Sequence, residues 1–256
     1  MIHPTAIVDS KAVLADDVVV GPYTIIGADV EIGEGTEIGS HNVIKGPCKI
    51  GKNNKILQFN TIGEYSPDLK YKGEPTTLVI GDNNSIRECV TLHRGTIQDR
   101  SETTIGNHNL FMAYSHVGHD SVVSDHCIFA NNAQLAGHCF VGDWAIISGM
   151  SGVHQYGNVG AHAFVGTYSY VDKTVPAFVV AQGNPAKPRT INAEGLKRRG
   201  FAEEDISALL RAFKTLYKRK LSLTDAIDEL TDQAKENSSV SVLLESVVQS
   251  QRGIIR

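Results

Sequence analysis

Residues 105–147 read IGNHNLFMAYSHVGHDSVVSDHCIFANNAQLAGHCFVGDWAII, and an apolar residue recurs at every sixth position of this stretch. The same count extends back to Val8 and forward to Val171, with an interruption after Ile62 and a slip of one residue after Leu92. Neither an α-helix nor a flat sheet has a six-residue period. Within the quoted stretch the apolar positions are Ile105, Phe111, Val117, Val123, Phe129, Leu135, Val141 and Ile147.

A six-residue repeat predicts a parallel β-helix, because each hexapeptide supplies one short strand and one corner. The apolar side chain points into the prism, and the glycine that often follows it relieves crowding where the backbone turns. Three faces close a coil of about 18 residues, and successive coils stack at about 4.8 Å. An α-helical solenoid would show a period of about 3.6 residues, and a sandwich would alternate every second residue. We expect a left-handed parallel β-helix of hexapeptide repeats, the hand of known families with this signature.

The repeats end where the prolines Pro176, Pro185 and Pro188 break the pattern. We therefore predict a β-helix over residues 1–190, with loop insertions near 63–79 and 97–104, and a C-terminal α-helical domain over residues 191–256.

The C-terminal domain shows three helical stretches. Ser222 and Asp225 resemble a capping box that opens the second stretch, and Val240–Val248 is the third. The domain is expected to cover the open end of the β-helix, where strand edges lack partners. The first stretch carries an apolar stripe at separations of mostly three and four residues, formed by Phe201, Ile206, Leu209, Leu210, Phe213, Leu216 and Tyr217.

The charge distribution narrows the class of partner. A net charge of −4 and a pI near 6.2 argue against nucleic-acid binding. The segment from Glu194 to Lys220 nevertheless holds eight basic and four acidic residues, which indicates either a solvated helix face or a dock for an acidic protein or a phosphate. No apolar run reaches the length of a membrane span and no signal peptide is recognisable, so we expect a cytoplasmic protein.

Histidines are concentrated in the second half of the repeats. Because residues 18 apart stack in neighbouring coils, the count places Asp120 beneath His138, and His119 beneath Gly137, which lies beneath Gln155. The count therefore gathers one patch on the surface, consisting of His116, His119, Asp120, Gly137, His138, His154 and Gln155.

This patch holds the groups that acyl transfer by general-base catalysis requires. A neutral imidazole accepts a proton near neutral pH, and a flanking carboxylate fixes its tautomer. A glycine offers a backbone N–H to a developing oxyanion. Activity should fall as the pH drops through the imidazole range, near about 6.5.

Two other interpretations of the histidines stay open at this point. Zinc-dependent hexapeptide enzymes of the carbonic anhydrase class hold their metal with three histidines shared across a subunit interface. The histidines could also be hydrogen-bonded corner residues of a plain scaffold.

Several motifs carry a family resemblance that covers essentially the whole chain. The motifs are His93–Thr96, Ser115–Asp120, Ala130–Asn132, Leu135–His138, Val153–Gln155, Gln182–Pro185, Glu194–Phe201 and Arg252–Arg256. With these motifs the chain resembles the acyl-ACP:UDP-N-acetylglucosamine O-acyltransferases of lipid A biosynthesis. The sister N-acyltransferases share the hexapeptides and a catalytic histidine but carry an extra N-terminal domain.

The resemblance implies a role for each site residue. His119 would be the general base that activates the sugar 3-hydroxyl toward the thioester of a 3-hydroxyacyl chain on acyl carrier protein. Asp120 would orient His119, and the N–H of Gly137 would hold the oxyanion. The family is a homotrimer with sites between neighbouring prisms, and no metal or other cofactor is implied.

The resemblance also implies three groups of binding residues. Asp68, Lys70 and Tyr71 would hold the sugar and acyl groups near the base. The basic helical segment would dock the acidic carrier protein. His93, His116, His138, His154 and Gln155 would line the sugar, diphosphate and pantetheine path, and Asn192, Glu194, Arg198 and Arg199 would engage nucleotide and phosphate groups.

Thr167 departs from the pattern of the family's long-chain members, which carry a second glycine after the one that matches Gly166. A bulkier residue on this wall predicts a shorter 3-hydroxyacyl donor. Pro67 is a second departure, and it stiffens the segment that holds Asp68.

Overall fold

The computed structural model describes all residues from Met1 to Arg256, and its main body is a left-handed parallel β-helix. Three sheets form the faces of a triangular prism, and the chain visits them in rotation. The first sheet contains Ile7–Val8, Ile25–Ile26, Val43–Ile44, Thr61–Glu64, Thr91–His93, His116–Val117, Gln134–Leu135, Gly152–Val153 and Tyr170–Val171.

The other two faces complete each coil. The second sheet contains Val13–Leu14, Val30–Ile32, Cys48–Ile50, Thr77–Ile80, Glu102–Ile105, Val122–Val123, Phe140–Val141 and Asn158–Val159. The third sheet contains Val19–Val20, Glu37–Ile38, Lys55–Ile56, Ser85–Ile86, Leu110–Phe111, Ile128–Phe129, Ile146–Ile147, Phe164–Val165, Val179–Gln182 and Lys187–Ile191. All pairs are parallel except the last, in which Lys187–Ile191 runs antiparallel to Val179–Gln182.

The six-residue count identifies the core correctly. In the regular coils each residue pairs with the residue 18 positions later, as Phe111 pairs with Phe129 and Phe129 with Ile147. All three side chains are fully buried inside the prism. Apolar residues stacked one above another therefore form a continuous core along the prism, and the pairing register follows from the repeat.

The corners repeat as well. The third residue after a core position commonly has a left-handed backbone, as at His108 (φ 57°), Asp120 (φ 59°) and His138 (φ 59°). Among residues other than glycine, asparagine, aspartate and histidine enter this region most readily. The corner geometry thus explains why polar and imidazole side chains accumulate along the prism edges.

Both loop insertions lie at one edge of the prism. The segment 65–76 links Thr61–Glu64 to Thr77–Ile80, and the segment 94–101 links Thr91–His93 to Glu102–Ile105. Each link runs from the first sheet to the second. We call this corner the insertion edge; in later coils it consists of residues 118–121, 136–139 and 154–157.

Four helices follow the last strand: α1 (Ala193–Arg198), α2 (Glu203–Tyr217), α3 (Leu223–Glu236) and α4 (Ser238–Val248). The expected three stretches correspond to α2, α3 and α4. Helix α1 was missed because it has six residues, of which only Leu196 is buried, so it carries no apolar stripe. None of the four helices combines the length and the apolar composition that a membrane crossing needs.

Side-chain hydrogen bonds cap the N-termini of α1, α3 and α4, whereas α2 has no such cap. The Ser222 hydroxyl accepts from the backbone N–H of Asp225 at 3.1 Å and donates to the Asp225 carboxylate at 2.7 Å. Ser222 therefore caps α3 as expected, but the reciprocal bond of a full capping box, from the Ser222 backbone N–H to the Asp225 side chain, is not formed. The backbone N–H of Ala177, beyond the last coil, donates to the Ser246 hydroxyl on α4 at 2.9 Å. The α2 stripe buries Leu209, Phe213 and Leu216.

Candidate active site

The centre of the candidate site is a buried imidazole paired with a buried carboxylate. His119 Nδ1 lies 2.8 Å from Asp120 Oδ2 on the insertion edge. Burial alone would raise the pKa of Asp120, but hydrogen bonds from His119 and Thr96 lower it below its ordinary value. Asp120 is therefore ionised near neutral pH, and its contact with Nδ1 leaves Nε2 of His119 without a hydrogen-bond partner in the protein.

Thr96 holds the carboxylate from the opposite side. Its backbone N–H donates to Asp120 Oδ1 at 2.8 Å, and its hydroxyl donates to Oδ2 at 2.6 Å. The sequence predicts no role for Thr96, because the hexapeptide count does not extend through the segment 94–101. It is a site residue that periodicity cannot locate.

Gly137 packs directly against the His119 ring, one coil above it. A Cβ added at Gly137 would lie 2.6 Å from both Cε1 and Nε2 of His119, which is closer than real Cβ contacts. The Gly137 N–H donates to no other group of the protein. A glycine is therefore required for the approach, and its amide is free to stabilise negative charge beside the base.

His138 lies between two aromatic neighbours next to this pair. Its ring stacks on Tyr156 at 4.6 Å between centroids and meets the His119 ring edge-on at 4.8 Å. Its Nδ1 is 3.9 Å from Asp120 Oδ2 but only 2.6 Å from Asp99 Oδ2. The stacking of Asp120 beneath His138 is thus observed, but the hydrogen-bond partner of His138 is Asp99.

His93 and His116 form a second imidazole pair beside the base. Their rings meet edge-on at 5.0 Å, and His116 Nδ1 lies 2.7 Å from the Thr91 hydroxyl. Burial lowers the pKa of His116 to about 4, and burial also lowers the pKa of His93. Both rings are neutral at physiological pH, so they can act as hydrogen-bond partners of a polar substrate without adding charge.

The neutral, partly buried histidines His93 and His116 predict acid sensitivity of the fold. The pKa of His116 in the folded chain, about 4, lies below the value of about 6.5 for an exposed imidazole. The unfolded chain therefore binds the proton first as the pH falls. This contribution to stability is complete above pH 6.5 and declines toward pH 4, by up to about 3 kcal/mol for His116.

Urea unfolding at a series of pH values checks this expectation. His116→Gln should show a shallower decline of the free energy of unfolding between pH 6.5 and 4 than the wild type. The variant His41→Asn serves as the control, because His41 is exposed and should leave the decline unchanged. Equal slopes for wild type and His116→Gln would contradict a buried neutral imidazole.

A surface groove continues from His116 along the first sheet. The His154 Nδ1 lies 3.0 Å from the backbone oxygen of Gln155, and Arg252 near the C-terminus donates to the same oxygen at 3.0 Å. Arg252 also received no role from the sequence, since a contact 97 residues apart leaves no local pattern. The groove is lined by His116, Gln134, Ala136, Gly152, Val153, His154, Gln155 and Tyr170.

The first insertion is held near the site by Arg94. Lys70 N–H donates to Asp68 Oδ1 at 2.9 Å, and the Tyr71 hydroxyl donates to the Glu74 backbone oxygen at 2.9 Å. Arg94, next to His93, lies 3.4 Å from the Tyr71 hydroxyl. The side chains of Asp68 and Lys70 make no hydrogen bond or ion pair with the His119 group within one protomer.

The predicted nucleotide-binding residues lie at a different edge of the same prism. Asn192 caps α1 by accepting from the Gly195 N–H and donates to the His162 backbone oxygen. Arg199 donates to the Trp144 backbone oxygen at 3.0 Å and lies over the Trp144 ring. Glu194 and Arg198 are exposed on α1.

The edge that carries Trp144 and His162 joins the second sheet to the third, whereas His119 lies where the first sheet meets the second. One protomer thus does not bring Asn192, Glu194, Arg198 and Arg199 to the base. Thr167 is exposed at the third corner, after Phe164–Val165, and does not line the groove.

The residues around His119 include the one group of side chains whose ligand atoms lie close enough together to hold a metal ion. Ligand atoms of His119, Asp120 and His138 lie within 4.8 Å of one another. The donor set differs from the three histidines of the zinc alternative. Both Nδ1 atoms and both Asp120 oxygens already take part in hydrogen bonds. The arrangement favours proton transfer by His119 over metal binding.

Comparison with known proteins gives consistent results. The family model described as UDP N-acetylglucosamine O-acyltransferase, domain 2, matches residues 175–255. An acyl-[acyl-carrier-protein]–UDP-N-acetylglucosamine O-acyltransferase from Stutzerimonas stutzeri is 58% identical over 100% of this chain and 99% of its own.

Two solved structures extend this similarity to the fold. LpxA from Acinetobacter baumannii superposes with a TM-score of 0.98 at 48% identity, covering 100% of this chain and 99% of the other. The UDP-N-acetylglucosamine acyltransferase of Francisella novicida superposes with a TM-score of 0.98 at 40% identity, covering 100% and 94%.

The fold, the site and these similarities define a hexapeptide-repeat acyltransferase. More narrowly, the chain belongs to the family of acyl-[acyl-carrier-protein]–UDP-N-acetylglucosamine O-acyltransferases. The sequence-based resemblance is thereby confirmed.

Proposed function

We propose that this protein transfers a 3-hydroxyacyl chain from acyl carrier protein to the 3-hydroxyl of UDP-N-acetylglucosamine, the first step of lipid A biosynthesis. The observation that carries the proposal is the His119–Asp120 pair, 2.8 Å apart, packed against the free amide of Gly137. Family membership supplies the acyl donor and the acceptor. The reaction belongs in the cytoplasm, which cell fractionation would check.

The residues divide the chemistry as follows. His119 Nε2 removes the proton of the sugar hydroxyl while that oxygen attacks the thioester carbonyl, and Asp120 stabilises the imidazolium that results. The Gly137 N–H donates to the oxyanion of the tetrahedral intermediate. The intermediate collapses by breaking the carbon–sulfur bond, and the departing thiolate takes the proton from His119. No nucleophilic serine or cysteine takes part.

The binding residues are assigned by their position around this pair. His93, His116 and His138 surround the base, and neutral rings suit hydrogen bonds to the sugar and the diphosphate. His154 and Gln155 line the groove that leads away from His116, which suits the pantetheine and acyl chain.

A homotrimer accounts for the residues that one protomer leaves apart. Asn192, Glu194, Arg198 and Arg199 bind the nucleotide and phosphate groups in this proposal, yet they lie on another edge of the prism. A neighbouring copy that packs the edge carrying Trp144 and His162 against the insertion edge would place them beside His119. Asp68, Lys70 and Tyr71 would hold the sugar and acyl groups in the same crevice. Sedimentation at equilibrium should give three times the chain mass.

Helix α2 presents the surface for the acidic carrier protein. Arg211, Lys214 and Lys218 are exposed, make no ion pair and follow one helix face at separations of three and four residues. Lys197 and Arg219, by contrast, are paired with Glu203 and Glu229. Exposed unpaired cations attract an acidic partner and raise the association rate. Added salt weakens this attraction.

An acyl-transfer assay tests the function directly. The purified chain is incubated with UDP-N-acetylglucosamine and a set of 3-hydroxyacyl carrier-protein donors, and mass spectrometry follows the ester product. An acceptor that offers an amine tests the N-acyltransferase alternative. Chelator treatment with metal analysis tests the zinc alternative. Absence of transfer to UDP-N-acetylglucosamine with every donor would refute the proposal.

Thr167→Gly is expected to shift the donor preference toward longer chains. Thr167 lies outside the groove of one protomer, so this proposal places it where the far end of the acyl chain leaves the groove. Removing its side chain there makes room for added methylenes, each of which changes selectivity by about tenfold or more in a fitted pocket. The measurement is the ratio of kcat/KM for long and short donors in wild type and variant. The ratio cancels any loss of folded enzyme, and an unchanged ratio would remove Thr167 from the specificity wall.

A further inference from the structure

Asp99 makes the shortest hydrogen bond to any imidazole of the site. Its Oδ2 lies 2.6 Å from His138 Nδ1, while the competing Asp120 oxygen is 3.9 Å away. Only 5% of the His138 side chain is exposed, against 41% for Asp99. An exposed loop carboxylate therefore reaches inward to a buried ring that touches the base.

The segment that carries Asp99 is anchored to the catalytic pair. The Ser101 and Asp99 N–H groups donate to the Thr96 backbone oxygen at 2.9 and 3.4 Å, which closes the turn. The Thr96 side chain and N–H in turn hold both oxygens of Asp120. This segment thus holds Asp120, the partner of His119, through Thr96. It also holds His138, the ring beside His119, through Asp99.

The bond decides which nitrogen of His138 faces substrate. A carboxylate only accepts, so His138 must carry its proton on Nδ1, and Nε2 remains for other partners. The ring plane is set by the stack on Tyr156, 12° from parallel. Without Asp99 the ring has no strong partner that selects between the two tautomers.

We propose that Asp99 is a positioning residue: it holds the Nδ1–H tautomer and the ring orientation of His138, so that Nε2 of His138 binds the acceptor sugar beside His119. The kinetic part of this inference rests on the proposed acyl transfer. The tautomer itself is independent of any activity.

Nitrogen NMR of ¹⁵N-histidine-labelled protein measures the tautomer without substrate. His138, assigned through the loss of its signals in His138→Gln, should show the Nδ1–H pattern in the wild type. Asp99→Ala should move the population toward the Nε2–H form, and Arg100→Ala, an exposed change in the same turn, should not. An unaltered His138 pattern in Asp99→Ala overturns the proposal.

Kinetics supply the second readout. Asp99→Ala should lower kcat/KM for UDP-N-acetylglucosamine about tenfold, whereas Asp99→Asn, which keeps an acceptor oxygen, should recover part of the loss. In a His138→Gln background Asp99→Ala should have no further effect, because it acts through His138. An equal effect in both backgrounds contradicts the positioning role.

The NMR and kinetic measurements distinguish failure of the proposed function from failure of the positioning role of Asp99. If the wild type transfers no acyl group, the proposed function falls while the tautomer shift still reports the Asp99–His138 bond. If transfer occurs and Asp99→Ala behaves like Arg100→Ala, the function stands and the positioning role falls. Circular dichroism of each variant shows that the β-helix is retained.

Discussion

Replacing His119 by alanine should lower kcat by a factor of about 10³ while leaving the β-helix folded. Proton transfer by a positioned base contributes about 10² to 10⁴ in rate. In the proposed site His138, the nearest imidazole, does not replace this base, because its Nδ1 is bound to Asp99 and its Nε2 holds the acceptor sugar. The N–H of Gly137 and the binding groove remain, so some transfer above background should persist.

The measurement is steady-state kinetics with both substrates saturating, beside thermal unfolding of each protein. His41→Asn is the matched control, since His41 lies at the third corner, away from both edges that meet in the proposed trimer, and asparagine tolerates its left-handed backbone (φ 57°). Activity within tenfold of wild type would remove His119 from the mechanism.

Gly137→Ala should be nearly as damaging, by about 10²-fold in kcat, although it adds a single methyl group. The new Cβ would meet Nε2 and Cε1 of His119 at 2.6 Å, so the imidazole must leave its position. A displacement of about 1 Å in a reacting group costs about 10²-fold in rate. The backbone of Gly137 lies outside the left-handed region, so alanine is tolerated by the fold itself.

Gly27→Ala is the control for this change. Gly27 occupies a corresponding corner of an early coil, where the added Cβ finds its closest neighbour, the Ile44 backbone oxygen, at 3.4 Å. That distance is ordinary contact, and the control should keep both kcat and thermal stability. Full activity in Gly137→Ala would show that the His119 ring can work from another position.

The regular part of the site was predictable because the length of a coil, 18 residues, determines which residues stack on one another. The 18-residue coil alone placed Gly137 above His119, and the structure bears this out. The same count would have reached Tyr156, which lies 18 residues after His138 and stacks on it, although no chemistry singled it out. Periodicity therefore identifies neighbours along an edge but does not rank them.

The irregular part was not predictable in the same way. Thr96 and Asp99 lie in a segment without a repeat, so no count relates them to Asp120 or His138. Their positions depend on a turn closed by backbone hydrogen bonds to Thr96. Arg252 reaches Gln155 only after four helices have folded back on the prism. Such contacts are set by tertiary packing, which a single sequence does not display.

Because both insertions lie at one corner, a change in loop length and a change in coil length would have different effects on the site. A segment that loops outward at a corner leaves the strands on either side in phase, and doubling the length of a flexible loop costs only about 0.6 kcal/mol. Removing one hexapeptide between residues 101 and 116 would instead rotate every later coil by one face and carry His119 away from the segments 65–76 and 94–101. The length of the loops at this edge can therefore change and alter ligand binding. The length of a coil cannot change without disrupting the site.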